Sequence, residues 1–324
     1  MPHGIGIDIG ATYTRVVIAD EKGNFITKIS EKTVRTGDST SLANQLISMI
    51  KKAIKETGIE VSEIKGIGVG SIGPLDYKKG ILLKPANLPF NNIPITEPLS
   101  KEFGLRTVLL NDCTTAVIGE KFFGAGKEHE NLVYVTISTG IGGGAYVDGH
   151  LLIGKDGNAV EIGHMVIDAE GKLVCGCGKM GHWEAYSSGS GIPKYTRFMA
   201  KKEWDAFRRS LLYKKTGGDL NSLDSKMVYE AAKEGDEFAL RIVEKIGKYN
   251  SIGFANIINI YDPSLITIGG SVALYNKELI LDPILKYLDN YVINRKPKII
   301  ITPLGGDIVL YGALALALGM EKVD

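Results

Sequence analysis

Two turns rich in glycine and hydroxyl side chains constrain the fold of this chain more than any other feature. The first lies between Asp8 and Thr14 (DIGATYT), and the second lies between Thr136 and Gly144 (TISTGIGGG). Alternating apolar residues precede each turn and an apolar segment follows it, which predicts two β-hairpins. Because glycine and threonine leave backbone N–H groups and hydroxyls accessible, turns of this composition suit a phosphate chain.

Two such hairpins, far apart in one chain, predict two half-sites for a nucleoside triphosphate that face each other across a cleft. For either motif alone, a glycine-rich hairpin without a ligand is the alternative, since short glycine patterns recur by chance. Neither motif is a Walker loop or a dinucleotide fingerprint, because no Gly-Lys-Ser/Thr follows and neither opens a helix. The Asp8 carboxylate is a candidate to hold hydrated Mg²⁺, which takes one or two protein carboxylates and keeps several waters.

Size, charge and cysteine content define the class of protein. A length of 324 residues exceeds the size at which one hydrophobic core usually keeps growing, so two lobes are expected. The 38 Lys and Arg residues balance 37 Asp and Glu residues, which argues against nucleic-acid and anionic-membrane partners. No signal peptide or bilayer-spanning segment is predicted. The three cysteines, Cys113, Cys175 and Cys177, form no evident disulfide, so we expect a cytoplasmic protein.

Helix-like and strand-like segments alternate along the chain, which predicts an α/β architecture. Helices are predicted over 39–56, around 116–122, over most of 225–260, over 277–292 and from 308 onward. Strands are predicted over 5–9, 16–19, 64–69, 107–110, 133–137, 145–147, 265–268 and 299–301. In such folds ligands collect at the carboxyl ends of strands, where three polar clusters fall. These clusters are Asn111-Asp112, Gly269-Gly270-Ser271 and the segment from Glu161 to His164.

Taken together, these residues resemble the ROK sugar kinases of the glucokinase or hexokinase type, a branch of the actin-like ATPase and hexokinase superfamily. The resemblance runs from the first strand to the C-terminal helix. Its most specific part is CGCG at 175–178, followed by WEAY at 183–186. The other matching stretches are GIDIGAT at 6–12, Asn111-Asp112 with Glu120 downstream, the second turn, and EIGHM at 161–165.

The resemblance implies a two-lobed actin-like ATPase (ribonuclease H-like) fold, with duplicated α/β domains around an interdomain cleft. It places residues 1–115 and 305–324 in a smaller N-terminal lobe and residues 116–304 in a larger lobe, which commonly supplies a homodimer interface. The implied activity is phosphorylation of a hexose, glucose or a broader set, at its 6-hydroxyl, with ATP and Mg²⁺ and with closure of the lobes. An N-acetylglucosamine or N-acetylmannosamine kinase, and a sugar-sensing regulator without catalysis, are the alternatives.

The resemblance also implies a role for each site residue. Asp112 is the expected general base, because a sugar hydroxyl is a weak nucleophile; an Asp that caps the following helix is the alternative. The residues implied to bind the sugar are Gly73, Asn87, Asn111, Asp112, Glu161, His164 and Glu184. Those implied to bind the nucleotide are Asp8, Gly10, Ala11, Thr12, Thr14, Ser138, Thr139, Gly140, Gly269, Gly270 and Ser271, with Asp8 holding Mg²⁺ through water. Taken singly, each of three residues also fits a role without sugar: Asn87 as a turn residue, Glu161 as a solvated charge and His164 as a core histidine.

A zinc site is a further implication. The family commonly binds structural zinc through one His and three Cys, and here His182 occupies the third Cys position. A tetrahedral Cys₂His₂ site is still available from His164, Cys175, Cys177 and His182. The alternative is a loop without metal that is held by the packing of Trp183 and Tyr186. In that case, the orientation of His164 toward the sugar must come from another partner.

Overall fold

A computed structural model describes residues 2–85 and 88–323. The strands are β1 (His3–Ile9), β2 (Tyr13–Asp20), β3 (Phe25–Lys32), β4 (Ile64–Ser71), β5 (Leu75–Asp76), β6 (Ile81–Leu82), β7 (Ile93–Pro94), β8 (Thr107–Asn111), β9 (Leu132–Ile137), β10 (Ile141–Val147), β11 (His150–Leu151), β12 (Leu265–Gly269) and β13 (Lys298–Ile301). The helices are α1 (Ser41–Thr57), α2 (Thr96–Phe103), α3 (Asp112–Phe122), α4 (Glu184–Ser187), α5 (Gly191–Lys202), α6 (Trp204–Arg208), α7 (Leu211–Thr216), α8 (Ser225–Lys233), α9 (Glu237–Tyr261), α10 (Ser271–Tyr275), α11 (Lys277–Leu288) and α12 (Ile308–Leu318). Short 3₁₀ helices lie at Val61–Glu63, Ile162–His164, Leu220–Ser222 and Gly305–Asp307.

Two five-stranded sheets share the same strand arrangement. Their orders are β3-β2-β1-β4-β8 and β11-β10-β9-β12-β13. In the first sheet β2 pairs antiparallel with β1 and β3, whereas β4 pairs parallel with β1 and β8. In the second sheet β10 pairs antiparallel with β11, and β12 pairs parallel with β13. The repeated order confirms the predicted duplication of an α/β domain.

The chain divides into two compact units. The first comprises Met1–Tyr134, Gly144–Ala159 and Thr302–Asp324, and the second comprises Val135–Gly143 and Val160–Ile301. The C-terminal segment therefore belongs to the first unit, which also takes 116–134 and 144–159. The lobes predicted from the sequence, 1–115 with 305–324 and 116–304, stay a prediction.

Helix α12 completes the core of the first unit. It is apolar on all sides and packs against β1, β4 and α3. Glycines make this close packing possible, since a Cβ on Gly68 would lie 1.9 Å from the carbonyl oxygen of Ala313. A Cβ on Gly312 would lie 1.7 Å from the carbonyl oxygen of Thr115. α12 has 11 residues, and within 2–85 and 88–323 no helix has the length and apolar character needed to cross a membrane.

The long helix α9 organises the second unit. It packs against α4, α8 and α11, and its inner face is apolar. The indole of Trp183, which directly precedes α4, is fully buried against α9. A Cβ on Gly253 would lie 2.5 Å from this ring, so glycine lets the indole lie on the backbone of α9. The packing fixes the start of α4, where Glu184 lies.

Candidate functional site

The first glycine and hydroxyl turn joins β1 to β2 in the first unit. The Gly10 N–H donates to the carbonyl oxygen of Tyr13 at 3.0 Å, which closes the turn. Thr12 is exposed at the turn, whereas Thr14 is fully buried. The Thr14 hydroxyl lies 3.0 Å from that of Thr33, which in turn donates to the Gly10 carbonyl at 2.7 Å. Thr12 therefore presents its hydroxyl outward, and Thr14 supports the shape of the turn.

Asp8, the candidate Mg²⁺ residue, is buried in β1 and paired with an arginine. Arg15 on β2 lies directly opposite Asp8 in the hairpin, and its Nε donates to Asp8 Oδ2 at 2.9 Å. Its Nη2 donates to the same oxygen. Burial raises the pKa of the Asp8 carboxyl, and the charge of Arg15 opposes that rise. Arg15 was not among the predicted site residues, although the register of the predicted hairpin would have placed both side chains on one face.

The carboxyl ends of three neighbouring parallel strands lie side by side in the first sheet. Ile9 of β1 is in register with Ser71 of β4, which is in register with Asn111 of β8. The first turn, Gly73 and Asp112 follow these strand ends. A Cβ on Gly73 would lie 3.6 Å from Asn111 Nδ2, so the two residues are neighbours. Within this unit the structure therefore gathers the predicted residues at the edge where ligands bind in such sheets.

Asp112 is the first residue of α3, and Asn111 is its N-cap. The Cys113 N–H donates to Asn111 Oδ1 at 2.9 Å and to Asp112 Oδ1 at 2.8 Å. The Thr115 hydroxyl donates to the Asn111 carbonyl at 2.8 Å. Asn111 and Asp112 therefore share the capping contact that was the predicted alternative role for Asp112. Asn87, a predicted sugar contact, lies outside the described residues.

The second turn joins β9 to β10 and belongs to the second unit. The Ser138 N–H donates to the Gly140 carbonyl at 2.9 Å, and Ser138 Oγ lies 3.3 Å from Ser271 Oγ. Gly270 has a φ of 86°, and a Cβ there would lie 2.5 Å from the Ile137 carbonyl, so this approach requires glycine. The structure therefore brings together two groups of predicted nucleotide contacts: Ser138, Thr139 and Gly140 with Gly269, Gly270 and Ser271.

Two backbone contacts that the sequence analysis did not foresee also hold the second turn. The Gly189 N–H donates to the Ser138 carbonyl at 2.7 Å, and the Ser190 N–H donates to the Thr139 carbonyl at 3.1 Å. These residues lie between α4 and α5, far along the chain from the turn. No local sequence signal marks such a pairing.

Glu184 connects the second turn with the cysteine segment. Its Oε2 accepts from the Ile141 N–H at 3.0 Å, and its Oε1 accepts from the Cys175 thiol at 3.4 Å. A Cβ on Gly140 would lie 2.4 Å from Glu184 Oε2, so glycine leaves room for the carboxylate. The side chain predicted to contact the sugar therefore also supports the second turn.

Four predicted zinc ligands form one cluster in the second unit, with ligand atoms that all lie within 4.8 Å of one another: His164, Cys175, Cys177 and His182. The two histidine Nδ1 atoms are 3.2 Å apart. Cys177 Sγ lies 3.3 Å from His182 Nδ1, and Cys175 Sγ lies 3.9 Å from His164 Nδ1. A tetrahedral zinc ion would separate two nitrogen ligands by about 3.4 Å and a nitrogen and a sulfur ligand by about 3.6 Å. The donor set and its spacing fit zinc.

The two ring nitrogens of His164 face different groups. Nδ1 faces the cluster, while Nε2 lies 3.8 Å from Glu161 Oε2. Burial raises the pKa of the Cys175 thiol to about 12, and burial together with the neighbouring His164 lowers the pKa of His182. A zinc ion would favour the thiolate of Cys175, against the effect of burial.

The cysteine segment is also held by contacts that need no metal. The Tyr186 hydroxyl donates to Asp168 Oδ2 at 2.6 Å and accepts from the Leu173 N–H at 3.0 Å. The Trp183 Nε1–H donates to Asn250 Oδ1 at 2.8 Å. The aromatic anchors that the sequence analysis named as an alternative to zinc are therefore present, and they coexist with the ligand cluster.

The duplicated five-stranded sheets, each with a glycine and hydroxyl turn between its first two strands in chain order, define a protein of the actin-like ATPase fold. The chain belongs to the ROK family, whose model matches residues 4–320. This confirms the family that the sequence resembles.

Individual relatives agree with this assignment. A glucokinase of Pyrobaculum calidifontis is 36% identical over 318 residues, which cover 98% of this chain and 95% of the relative. The crystal structure of a ROK glucokinase from Streptomyces griseus in complex with glucose and AMPPNP has a TM-score of 0.77 and 30% identity, covering 98% of this chain and 99% of that one. A ROK hexokinase from Thermus thermophilus has a TM-score of 0.80 and 28% identity, covering 98% of both chains.

Proposed function

We propose that this protein is an ATP-dependent hexokinase that phosphorylates glucose at the 6-hydroxyl. The observation that carries the proposal is the position of Asp112, which directly follows Asn111 at the carboxyl end of β8, on the strand edge that also bears the first turn. Similarity to glucokinases along nearly the whole chain supports the same activity.

In this proposal Asp112 acts as the general base. A carboxylate within hydrogen-bond reach of the sugar accepts the proton of the 6-hydroxyl as its oxygen forms a bond to the γ-phosphorus of ATP. The bond from that phosphorus to the bridging oxygen breaks, and ADP leaves. The Asn111 side chain also accepts from the Cys113 N–H, so the start of α3 does not depend on the Asp112 carboxylate alone.

The sugar contacts are proposed at six residues besides Asp112. These are Gly73, Asn87, Asn111, Glu161, His164 and Glu184. Hydroxyls of the sugar need matched donors and acceptors, because a wrong sugar leaves such buried groups unpaired. His164 suits this role, since Nε2 remains on the side of Glu161 while Nδ1 faces the cysteines.

The nucleotide contacts are proposed at the two turns. The backbone N–H of Ala11 and the hydroxyl of the exposed Thr12 would contact phosphates, as would Ser138, Thr139 and Gly140, while Gly10 would let the phosphates approach the turn closely. Gly269, Gly270 and Ser271 would bound the nucleoside. Asp8 offers the hard carboxylate oxygen that Mg²⁺ prefers, and a bound Mg²⁺ would neutralise charge that develops on the phosphates. Thr14 would act indirectly, through its bond to Thr33.

A structural zinc ion is the second cofactor of the proposal. Three distances among the four candidate ligands, 3.2, 3.3 and 3.9 Å, are near those of a tetrahedral zinc site, and the metal would fix the ring of His164 through Nδ1. We further propose a cytoplasmic homodimer. Light scattering of the purified protein tests the dimer, and a monomer mass would exclude it.

A coupled ADP-release assay over glucose, mannose, glucosamine, N-acetylglucosamine, N-acetylmannosamine and fructose tests the function. We expect the highest kcat/KM for glucose. A higher kcat/KM for an N-acetylhexosamine would instead assign that class of sugar as the substrate. Sugar binding without ADP release on any sugar would overturn the kinase and favour a sugar-sensing regulator.

A further inference from the structure

We propose that Arg15 is a positioning residue for the transfer step, which holds the carboxylate of Asp8 in place through its Oδ2 atom. The inference rests on the proposed function, because it assigns Asp8 to the Mg²⁺ and phosphates of ATP. Arg15 itself touches neither substrate in this proposal. It acts through Asp8.

The guanidinium of Arg15 is held at both of its ends. Nε donates to Asp8 Oδ2 at 2.9 Å on one side. On the other side, Nη1 donates to the Gly306 carbonyl at 2.8 Å and lies 3.1 Å from Asp307 Oδ1. Gly306 and Asp307 belong to the 3₁₀ helix that leads into α12. Arg15 thus links the carboxylate to the segment that leads into the buried helix α12 of the same unit.

The geometry divides the two oxygens of Asp8 between two tasks. Within residues 2–85 and 88–323, the hydrogen bonds to this carboxylate reach Oδ2, and all come from Arg15. Oδ1 is therefore the oxygen that remains for a hydrated cation. Since the side chain of Asp8 is 10% exposed, a carboxylate without its arginine would be free to change rotamer or to lose its charge in a poorly solvated place.

An arginine suits this task better than a lysine. Its planar fork makes several fixed hydrogen bonds at once, whereas an ammonium group acts as a point charge. Here the fork serves Asp8 and the start of α12 together. Mutation of a residue that orients a metal ligand typically lowers metal affinity or activity by roughly 10- to 100-fold. We expect an effect of about this size for Arg15.

The experiment compares Arg15→Gln, Arg15→Lys and Asp307→Asn with the wild type and with Arg241→Gln. The last variant is a matched control, since Arg241 forms an exposed pair with Glu203 at 3.1 Å in the other unit. The measurements are kcat, KM for glucose, the free Mg²⁺ concentration at half-maximal rate, glucose affinity by tryptophan fluorescence, and Tm.

For Arg15→Gln we expect kcat to fall and the half-maximal Mg²⁺ concentration to rise, each by roughly 10- to 100-fold, with glucose affinity unchanged. Arg15→Lys should fall between this variant and the wild type, and Asp307→Asn should show a smaller change of the same kind. Arg241→Gln should match the wild type.

Two results would overturn the inference. A folded Arg15→Gln protein with the kcat and Mg²⁺ requirement of the wild type would show that Asp8 needs no such support. A parallel loss of kcat, glucose affinity and Tm would assign Arg15 a purely structural role. Failure of the proposed function is a separate outcome, because the wild type would then release no ADP with any sugar.

Discussion

Replacing Asp112 by asparagine should remove the general base and leave the helix start intact. The asparagine retains an oxygen that can accept from the Cys113 N–H, now at 2.8 Å from Asp112 Oδ1, and the Asn111 cap at 2.9 Å is untouched. We therefore expect little change in Tm. Loss of a positioned base costs about 10²- to 10⁴-fold in kcat, or about 2.7 to 5.5 kcal/mol of transition-state stabilisation.

The assay is the coupled ADP-release assay with glucose, combined with glucose binding followed by tryptophan fluorescence. Asp224→Asn is the matched control, because it makes the same exchange at the N-cap of α8, where Asp224 accepts from the Met227 N–H at 2.7 Å. The control should keep the kcat of the wild type. A kcat of Asp112→Asn close to the wild-type value would refute the reasoning, and so would a loss of activity explained by lost glucose binding.

Three further predictions concern the metal and the packing. The purified protein should contain a single zinc ion per chain by elemental analysis, and Cys175→Ser should lose it. Wild-type protein that contains no zinc after purification from cells grown with zinc would contradict this prediction. Gly312→Ala should lower stability by about 1 to 3 kcal/mol in urea titrations, because its Cβ would meet the Thr115 carbonyl, whereas Gly306→Ala, with open space around its Cβ, should not. Tyr186→Phe should lower the free energy of unfolding by about 1 to 3 kcal/mol, because the Asp168 carboxylate and the Leu173 N–H lose the hydroxyl that pairs with them. An unchanged urea midpoint would refute this prediction.

Elements with strong local signals were predictable from the sequence. The helix expected over 39–56 is Ser41–Thr57, and it ends at Gly58, whose φ of 68° suits a helix C-terminus. The helical region expected over most of 225–260 is two helices. Gly235, with a φ of 84°, and the N-cap Asp236 explain the break, since the Asp236 side chain accepts from the Ala239 N–H at 2.8 Å.

Elements without a local signal were missed. β5, β6 and β7 have two residues each, too few for a periodic pattern. β3 lies at the edge of its sheet and five of its eight side chains are polar, so its apolar alternation is weak. These strands exist because neighbouring strands offer them backbone partners, a cause that lies outside their own sequence.

The candidate site shows the same division. The turn residues could be identified because glycine and hydroxyl patterns report local backbone demands. The contact between Glu184 and the Ile141 N–H spans 43 residues, and the contact between Arg15 and the Gly306 carbonyl spans 291. Only tertiary folding brings such groups together, so short motifs carry no trace of them.

The two turns occupy equivalent places in duplicated sheets, yet different chemistry supports them. Hydroxyl groups hold the first turn, since the Thr14 hydroxyl is hydrogen-bonded to the Thr33 hydroxyl, which donates to the Gly10 carbonyl. A carboxylate holds the second, since Glu184 accepts from the Ile141 N–H. In each case supporting residues lie beyond the hairpin: Thr33 follows β3, Glu184 begins α4, and Gly189 and Ser190 follow α4. A hairpin without these elements lacks bonds that define its turn, so each turn reaches its final shape only when a later segment of the chain has docked.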